Sequence, residues 1–524
     1  MSRQTKSILN DVLGPIMRGP SSSHTAGAFR IGRIARALFG TRPTAIRCLL
    51  DPAGSYAPTY KISGVDHAFA AGILGWEMTD ERYSTAIAAA RDEGTQISFS
   101  VTPLEHADHP NSICIEMSGQ SGRKITLWAK SVGGGAINVV RLDTASVDID
   151  GKSWSVLVIV NRADREAVRD ALESTIGRSC RESPLVGTDH DLLEYQIGGS
   201  VDAVRFDALA SIRGVVEVMV SPPIFFPPEG TELFASAGEM VEFSSDRGIG
   251  LADAAILYES ELLGISEKEV VAEMDCRLAI MRRSVEMGLD DSASAMPLTQ
   301  PSASGILAAE RRGEMALGGL HTRAAARAMA VMHVCNSRGV VCAAPTGGSA
   351  GVLPGVLVTL EEARIAGPGS VLRALFAASA IGLIVAKRAT FAAETAGCQV
   401  EIGVAGAMAA AAVVDAAGGT PRQATDAAAI SLQNTMGSVC DPVGGGCEIP
   451  CHTRNALAAS SSFVCADLIL GGYNNLIPLD ETIDASFAVG KMLPSQLRCT
   501  ARGGIAIAPS AKALVKERTL AAKK

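Results

Sequence analysis

Apolar and polar positions divide the chain into three zones with different periodicities. Up to about residue 150, strand-like runs such as Ile46-Arg47-Cys48-Leu49-Leu50 lie between Gly- and Ser-rich loops. Short helices are expected among them, including one at 26–38 that carries Arg30, Arg33 and Arg36. Between 152 and 224, Val168, Leu172 and Ile176 recur at helical spacing, which predicts a helix over 163–176 after a β-rich run at 154–160. A weaker strand near 180–185, a strand at 192–197, a helix at 201–212 and a strand at 215–220 complete βαββαβ, the ferredoxin-like plan. Pro222, Pro223, Pro227 and Pro228 then form a linker.

From about 230 onward the pattern is helical. One long amphipathic helix is expected over 259–287, and Ala-rich stretches at 370–386 and 405–417 read as buried helices whose small side chains allow close approach. Glycines at 347–348 and 444–446 interrupt them. The expected architecture is therefore multidomain: an α+β domain at 1–150, a ferredoxin-like domain at 151–225, and an all-α domain at 230–524.

Composition narrows the function classes. The chain has 524 residues, enough for several cores, and is globular in character with 47% hydrophobic and 19% charged residues. A net charge of −8 supplies no basic field, so neither nucleic acid nor an anionic membrane is an expected partner. The most apolar stretch, 370–386, is interrupted by Arg373 and followed by Lys387 and Arg388, too short for a membrane span. Met1 to Lys6 lead into a mixed polar segment rather than an apolar leader, and six of the twelve cysteines crowd between Cys335 and Cys451. That points to reduced thiols or metal ligands in a cytoplasmic protein rather than a disulfide framework.

Three motifs carry candidate chemistry. Gly19-Pro20-Ser21-Ser22-Ser23-His24-Thr25 places hydroxyls and an imidazole ahead of a helix whose free N–H groups attract an anion such as a carboxylate; it reads equally as an ordinary helix cap. Pro345-Thr346-Gly347-Gly348-Ser349 lacks the Lys of a nucleotide loop and suits either backbone N–H donation to a carboxylate or a flexible connection. Cys398, Cys440 and Cys451 sit in unusual segments: Gly397-Cys398-Gln399-Val400-Glu401, Val439-Cys440-Asp441-Pro442 and Glu448-Ile449-Pro450-Cys451-His452. Their spacing is not a ferredoxin pattern and is compatible with three structural thiols, with Cys447 and Cys342 as rival ligands.

The words around those cysteines, with Pro450-Cys451-His452-Thr453-Arg454-Asn455-Ala456 and Arg502-Gly503-Gly504, resemble the catalytic region of iron–sulfur-dependent L-serine dehydratases. Residues 19–25 resemble that family's N-terminal signature, 54–72 the segment after it, and 342–354 its loop, so the resemblance spans nearly the whole chain. It implies a substrate-binding α+β domain, an ACT regulatory domain in the middle zone and a helical catalytic domain. It also implies a [4Fe–4S] cluster on Cys398, Cys440 and Cys451, with Cys447 excluded because the family has an apolar residue there. The fourth iron would act as a Lewis acid while a base removes the α-proton of L-serine; 2-aminoacrylate, its imine tautomer, and then pyruvate and ammonia follow. Ser21, Ser22, Ser23 and Thr25, with Thr346, Gly347, Gly348 and Ser349, would hold the small-molecule substrate. An amino-acid effector at the ACT domain and a homodimer are the further expectations.

Departures from the family unsettle the base and so the substrate. Where the family carries a Gly-His pair, this chain reads Ile62-Ser63, with Asp66 retained and His67 beside it. His24, His67, Ser63 and Asp66 are thus the candidate catalytic residues. Arg498-Cys499-Thr500 stands where the family has Arg-Glu-Thr, and Phe391-Ala392-Ala393 where it has Ile-Ser-Gly. A related lyase on another β-substituted 2-amino or 2-hydroxy acid, or a non-catalytic redox or amino-acid sensor, are the competing readings.

Overall fold

The computed structural model describes residues 5–199, 204–290, 296–365 and 369–521. The chain divides into two units, Met1–Ser22 with Gly230–Lys524, and Ser23–Glu229.

The first unit is mostly helical. At its centre the helix Ile402–Ala416 is flanked by Ser370–Arg388, Pro421–Thr435 and Cys451–Leu470. Ala407 and Ala409 to Ala412 are fully buried there, so backbones approach closely. Ser370–Arg388 and Cys398–Ala416 are long and apolar enough to cross a membrane, and both are mostly buried within this unit, as core helices are. The single helix expected over 259–287 is two. Leu251–Leu263 ends at Gly264, which takes the left-handed conformation at φ +65°, and Glu267–Gly288 restarts from a capping box in which Ser266 and Glu269 satisfy each other's N–H groups.

Residues 5–22, grouped with the N-terminal zone by sequence pattern, are built into this helical unit. The buried Glu259 carboxylate accepts hydrogen bonds from the Ser7 hydroxyl, from Ile8 N at 2.7 Å and from Leu9 N at 2.9 Å. Strand β1 (Ile16–Arg18) then pairs antiparallel with Val340–Cys342.

The second unit holds two sheets. Six strands, β2 (Ala45–Leu50), β3 (Gln96–Val101), β4 (Ser112–Ser118), β5 (Lys124–Gly133), β6 (Ala136–Leu142) and β7 (Ala145–Ile149), lie in the order β3-β2-β4-β5-β6-β7. Only β2 and β3 run parallel, as their helical crossover requires. The helix Gly27–Phe39 buries Ile31, Ile34, Ala35 and Leu38 and crosses Val65–Leu74 where Gly32 meets Gly72; a Cβ on Gly32 would stand 2.6 Å from Phe69 O. The second sheet joins β8 (Trp154–Asn161), β9 (Arg181–Pro184), β10 (His190–Ile197) and β11 (Val215–Ser221) in the order β11-β8-β10-β9, all antiparallel. Arg165–Ile176 follows β8 and Val204–Leu209 follows β10, giving the βαββαβ sequence around a core of Val156, Val158, Leu172, Leu193 and Phe206. Of the helix expected at 201–212, residues 201–203 lie outside the described residues.

Candidate active site

Gly397, at φ +77°, turns the chain into the short segment Cys398–Val400. A Cβ at Gly397 would lie 2.6 Å from Ser438 O, so glycine alone lets this segment lie against the loop that leads to Cys440. Cys440 is fixed from the other side by a parallel bridge to Arg498: Cys440 N donates to Leu497 O, and Cys499 N to Cys440 O, both at 2.8 Å. Cys451 opens the helix Cys451–Leu470.

These elements gather the thiols. The Cys398 and Cys440 sulfurs and one Glu401 carboxylate oxygen lie within 4.8 Å of one another. The Cys440 thiol is in hydrogen-bond contact with Cys398 and Cys499, and the Cys447 thiol with Cys451. Cys398, Cys440 and Cys451 are all buried. Cys447, set aside in the sequence, therefore joins the group, as does Cys499. Cys342 ends the strand paired with β1, and its thiol points to Ala343 O at 3.6 Å.

The surroundings suit soft, negatively charged ligation. Arg454 directs Nη1 to the Cys398 sulfur at 3.7 Å and to Val439 O at 2.8 Å, and its Nη2 pairs with Asp441 at 2.9 Å. Asp441 in turn accepts from Ile505 N at 2.7 Å. Contact with Cys398 and Cys499, together with burial, raises the Cys440 thiol well above its ordinary pKa, and contact with Cys451 does the same for Cys447. Burial, then the charges of Cys398 and Glu394, push Glu401 up strongly. Metal binding to such thiols must release protons. Buried cysteine sulfurs beside one guanidinium are a donor set that fits an iron–sulfur cluster, since thiolates are its protein ligands and Arg454 offsets their charge.

The glycine loop adjoins the thiols. Glu401 hydrogen-bonds Thr346, and Asn455, one turn along the helix from Cys451, holds Gly348 O and Gly351 N. Gly347 N donates to the Ser22 hydroxyl at 3.3 Å, and the Cys335 thiol bridges Gly347 O at 3.3 Å and Pro20 O at 3.5 Å. Thr346, Gly347, Gly348, Ser349, Ser21 and Ser22 are thus brought into one neighbourhood with the thiols inside the helical unit.

The remaining candidates belong to the other unit and form two groups. His24 places Nδ1 3.1 Å from Ser23 Oγ and Nε2 3.2 Å from Ser55 Oγ, with Tyr56 edge-on at 5.2 Å. Burial lowers its pKa to about 4, so the ring is neutral near pH 7. Thr25 is buried in the same turn, a π-helical turn Ser22–Ala26 that runs directly into the helix Gly27–Phe39, whose N-cap position is Ala26. His67 pairs instead with Asp66 at 2.9 Å and lines an open depression of about 870 Å³ that also receives Arg47, Arg91 and Lys124. Ser63 is buried in the turn ahead of Val65–Leu74. Sequence reasoning missed Ser55, Glu401, Asp441, Arg454 and Asn455, although every one lies in or beside a segment quoted for the resemblance.

A family profile described as serine dehydratase alpha chain matches residues 159–506. The probable L-serine dehydratase alpha chain of Bacillus subtilis (strain 168) is 39% identical over 285 residues, covering 54% of this chain and 95% of the relative. The L-serine dehydratase alpha chain of Peptoniphilus asaccharolyticus is 34% identical over 272 residues, 52% of this chain and 93% of the relative. The chain is also similar to the probable L-serine dehydratase beta chain of B. subtilis, at 42% identity over 151 residues, 29% of this chain and 67% of the relative.

Proposed function

The chain belongs to the serine dehydratase alpha-chain family, and from that membership we propose that it eliminates water from L-serine, or a close β-substituted 2-amino acid, to yield pyruvate and ammonia. The observation that carries the reading is the meeting of Cys398, Cys440 and Glu401 within 4.8 Å, next to a loop rich in backbone N–H donors. Similarity to both an alpha and a beta chain supports a single chain combining the two roles.

Cys398, Cys440 and Cys451 would hold a [4Fe–4S] cluster, which when bound supplies a Lewis-acidic iron that polarises a substrate hydroxyl. The chain's own groups do the rest. Ser21, Ser22 and the 346–349 loop orient the substrate carboxylate through hydroxyls and backbone N–H groups. Arg454 keeps Cys398 in place and balances thiolate charge. His24, neutral through burial, is the proposed proton acceptor at the α-carbon, held in orientation by Ser23 and Ser55. Asp66, His67 and Ser63 are proposed in a supporting role.

The β8–β11 unit, with its ferredoxin-like strand order, is proposed to be an ACT-like regulatory domain that takes an amino-acid effector and pairs two chains. Thermal shifts across the twenty amino acids, with sedimentation, test that part. The catalytic reading is tested by anaerobic reconstitution followed by pyruvate and ammonia assays on L-serine and a panel of analogues. Failure of a cluster-loaded sample to release pyruvate from L-serine removes the substrate assignment.

A further inference from the structure

We propose that Glu401 receives the substrate's ammonium group and so selects a 2-amino acid over the matching 2-hydroxy acid. This rests on the reading above that Ser21, Ser22 and the 346–349 loop hold the substrate carboxylate beside the thiols.

Glu401 stands at the start of the helix Ile402–Ala416, where a carboxylate ordinarily accepts from the first backbone N–H groups. It makes no such cap. The side chain turns the other way. One of its oxygens lies within 4.8 Å of the Cys398 and Cys440 sulfurs, and the carboxylate hydrogen-bonds Thr346. A Cβ on Gly348 would stand 3.6 Å from Oε2 and 3.7 Å from Oε1, so both oxygens also lie along the loop backbone. The carboxylate therefore fills the seam between the thiols and the loop, and the residue keeps part of its surface open.

No cation of the protein answers this group. The charges that act on Glu401 are those of Cys398 and Glu394, both negative, and no Lys, Arg or His among the described residues pairs with it. Arg454, beside the Cys398 sulfur, directs Nη1 to Val439 O and Nη2 to Asp441. Glu394 is buried in the turn Ala393–Ala396 ahead of Gly397, and it is Glu401 that bonds the loop. A carboxylate held among negative groups is costly until a cation joins it. An α-amino acid carries its ammonium on the same carbon as its carboxylate. Seated in the loop, it brings that ammonium to the acceptor that adjoins the loop, which is Glu401. A 2-hydroxy acid brings no cation and leaves Glu401 unanswered.

The test uses the full chain, anaerobically reconstituted, in wild type and Glu401→Gln, with iron counted first. The probes are L-alanine, L-lactate and propanoate, which differ only at C2 and have no hydroxyl at C3 to eliminate. Their dissociation constants are read from the change each causes in the electron-paramagnetic signal of the reduced cluster, so binding is followed at this site and without turnover. Wild type is expected to bind L-alanine at least about tenfold more tightly than L-lactate. Glu401→Gln is expected to weaken L-alanine by about tenfold or more and to move L-lactate and propanoate by less than about threefold. An unchanged ratio of L-alanine to L-lactate, whether both weaken or neither does, overturns the proposal. Should Glu401→Gln assemble no cluster, Glu401→Asp is read in the same way, with a several-fold narrowing expected and an unchanged ratio again contradicting it. Wild type that binds L-lactate as tightly as L-alanine overturns it outright. Failure to release pyruvate from L-serine removes the reaction assigned above but leaves this selection standing if the L-alanine preference is present and lost in Glu401→Gln.

Discussion

Asn455 and Gly348 bind the two halves of the candidate site together: Asn455 Nδ2 donates to the Gly348 carbonyl at 2.9 Å, while its Oδ1 accepts from Gly351 N at 3.2 Å. The same Nδ2 donates to Cys451 O at 2.9 Å, and Asn455 is fully buried. The helix that begins at a thiol and the loop that offers backbone N–H groups are therefore one rigid piece. Asn455→Ala leaves Gly351 N–H and Gly348 O without this partner and is expected to cost about 2–4 kcal/mol. Urea unfolding followed by helical circular dichroism checks it; a cost below about 1 kcal/mol contradicts the bridging role.

Gly397→Ala tests how Cys398 is delivered. The added Cβ meets Ser438 O and a left-handed backbone at once, so the Cys398 turn must move away from Cys440. The expected outcome is reduced iron content after reconstitution and a loss of more than about 1 kcal/mol in stability. Retention of full iron content would show that the turn tolerates displacement.

Arg454 and Asp441 make a second paired test. Arg454→Met leaves Asp441 buried without its cation, a loss on the order of 2 kcal/mol because Arg454 is itself partly exposed. Adding Asp441→Asn should restore part of that stability. Iron binding should stay weakened in the double variant, since Cys398 still lacks the guanidinium. Additive stability effects in a double-mutant cycle contradict the coupling.

Stability of the Ser23–Glu229 unit should fall in mild acid. His24 and His109 have pKa values lowered to about 4, His24 by burial and His109 by burial and then the Lys130 charge. As pH drops below the unfolded value of about 6.5, the unfolded chain takes up protons that the folded unit refuses, so stability present above pH 6.5 is lost toward pH 4, at about 1.4 kcal/mol per unit for each histidine. Trp76, Trp128 and Trp154, the only tryptophans in the sequence, all lie in this unit and report its unfolding by fluorescence. The slope of stability against pH between 6.5 and 5.5 should flatten in His24→Asn and again in His109→Asn; an unchanged slope rules this origin out.

Legibility in the sequence followed the strength of local pattern. Strands β8 and β10 announce themselves through apolar runs such as Val156-Leu157-Val158 that are buried on both faces. Strands β3 to β7 do not: β3 is an exposed edge, and β5 buries Ala129 and Ser131 alongside Leu127, residues that carry little β signal. The break at Gly264 hides inside an unbroken apolar period and shows only through the Ser266–Glu269 box. The placement of residues 5–22 depends on Glu259, a partner far along the chain, and no local pattern encodes it. At the site, Cys398, Cys440 and Cys451 were readable from their flanking residues rather than their spacing. The Cys499 contact depends on a backbone bridge between distant segments, and Cys499 showed only as a departure from the expected motif.

Iron and acid-labile sulfide per chain, counted after anaerobic reconstitution of wild type and of Cys398→Ala, Cys440→Ala and Cys451→Ala, test the central claim most directly. The account predicts a four-iron, four-sulfide complement in wild type that collapses in each single variant while the helical circular dichroism is retained. Full iron and sulfide in any of the three variants, or none in wild type, would contradict it.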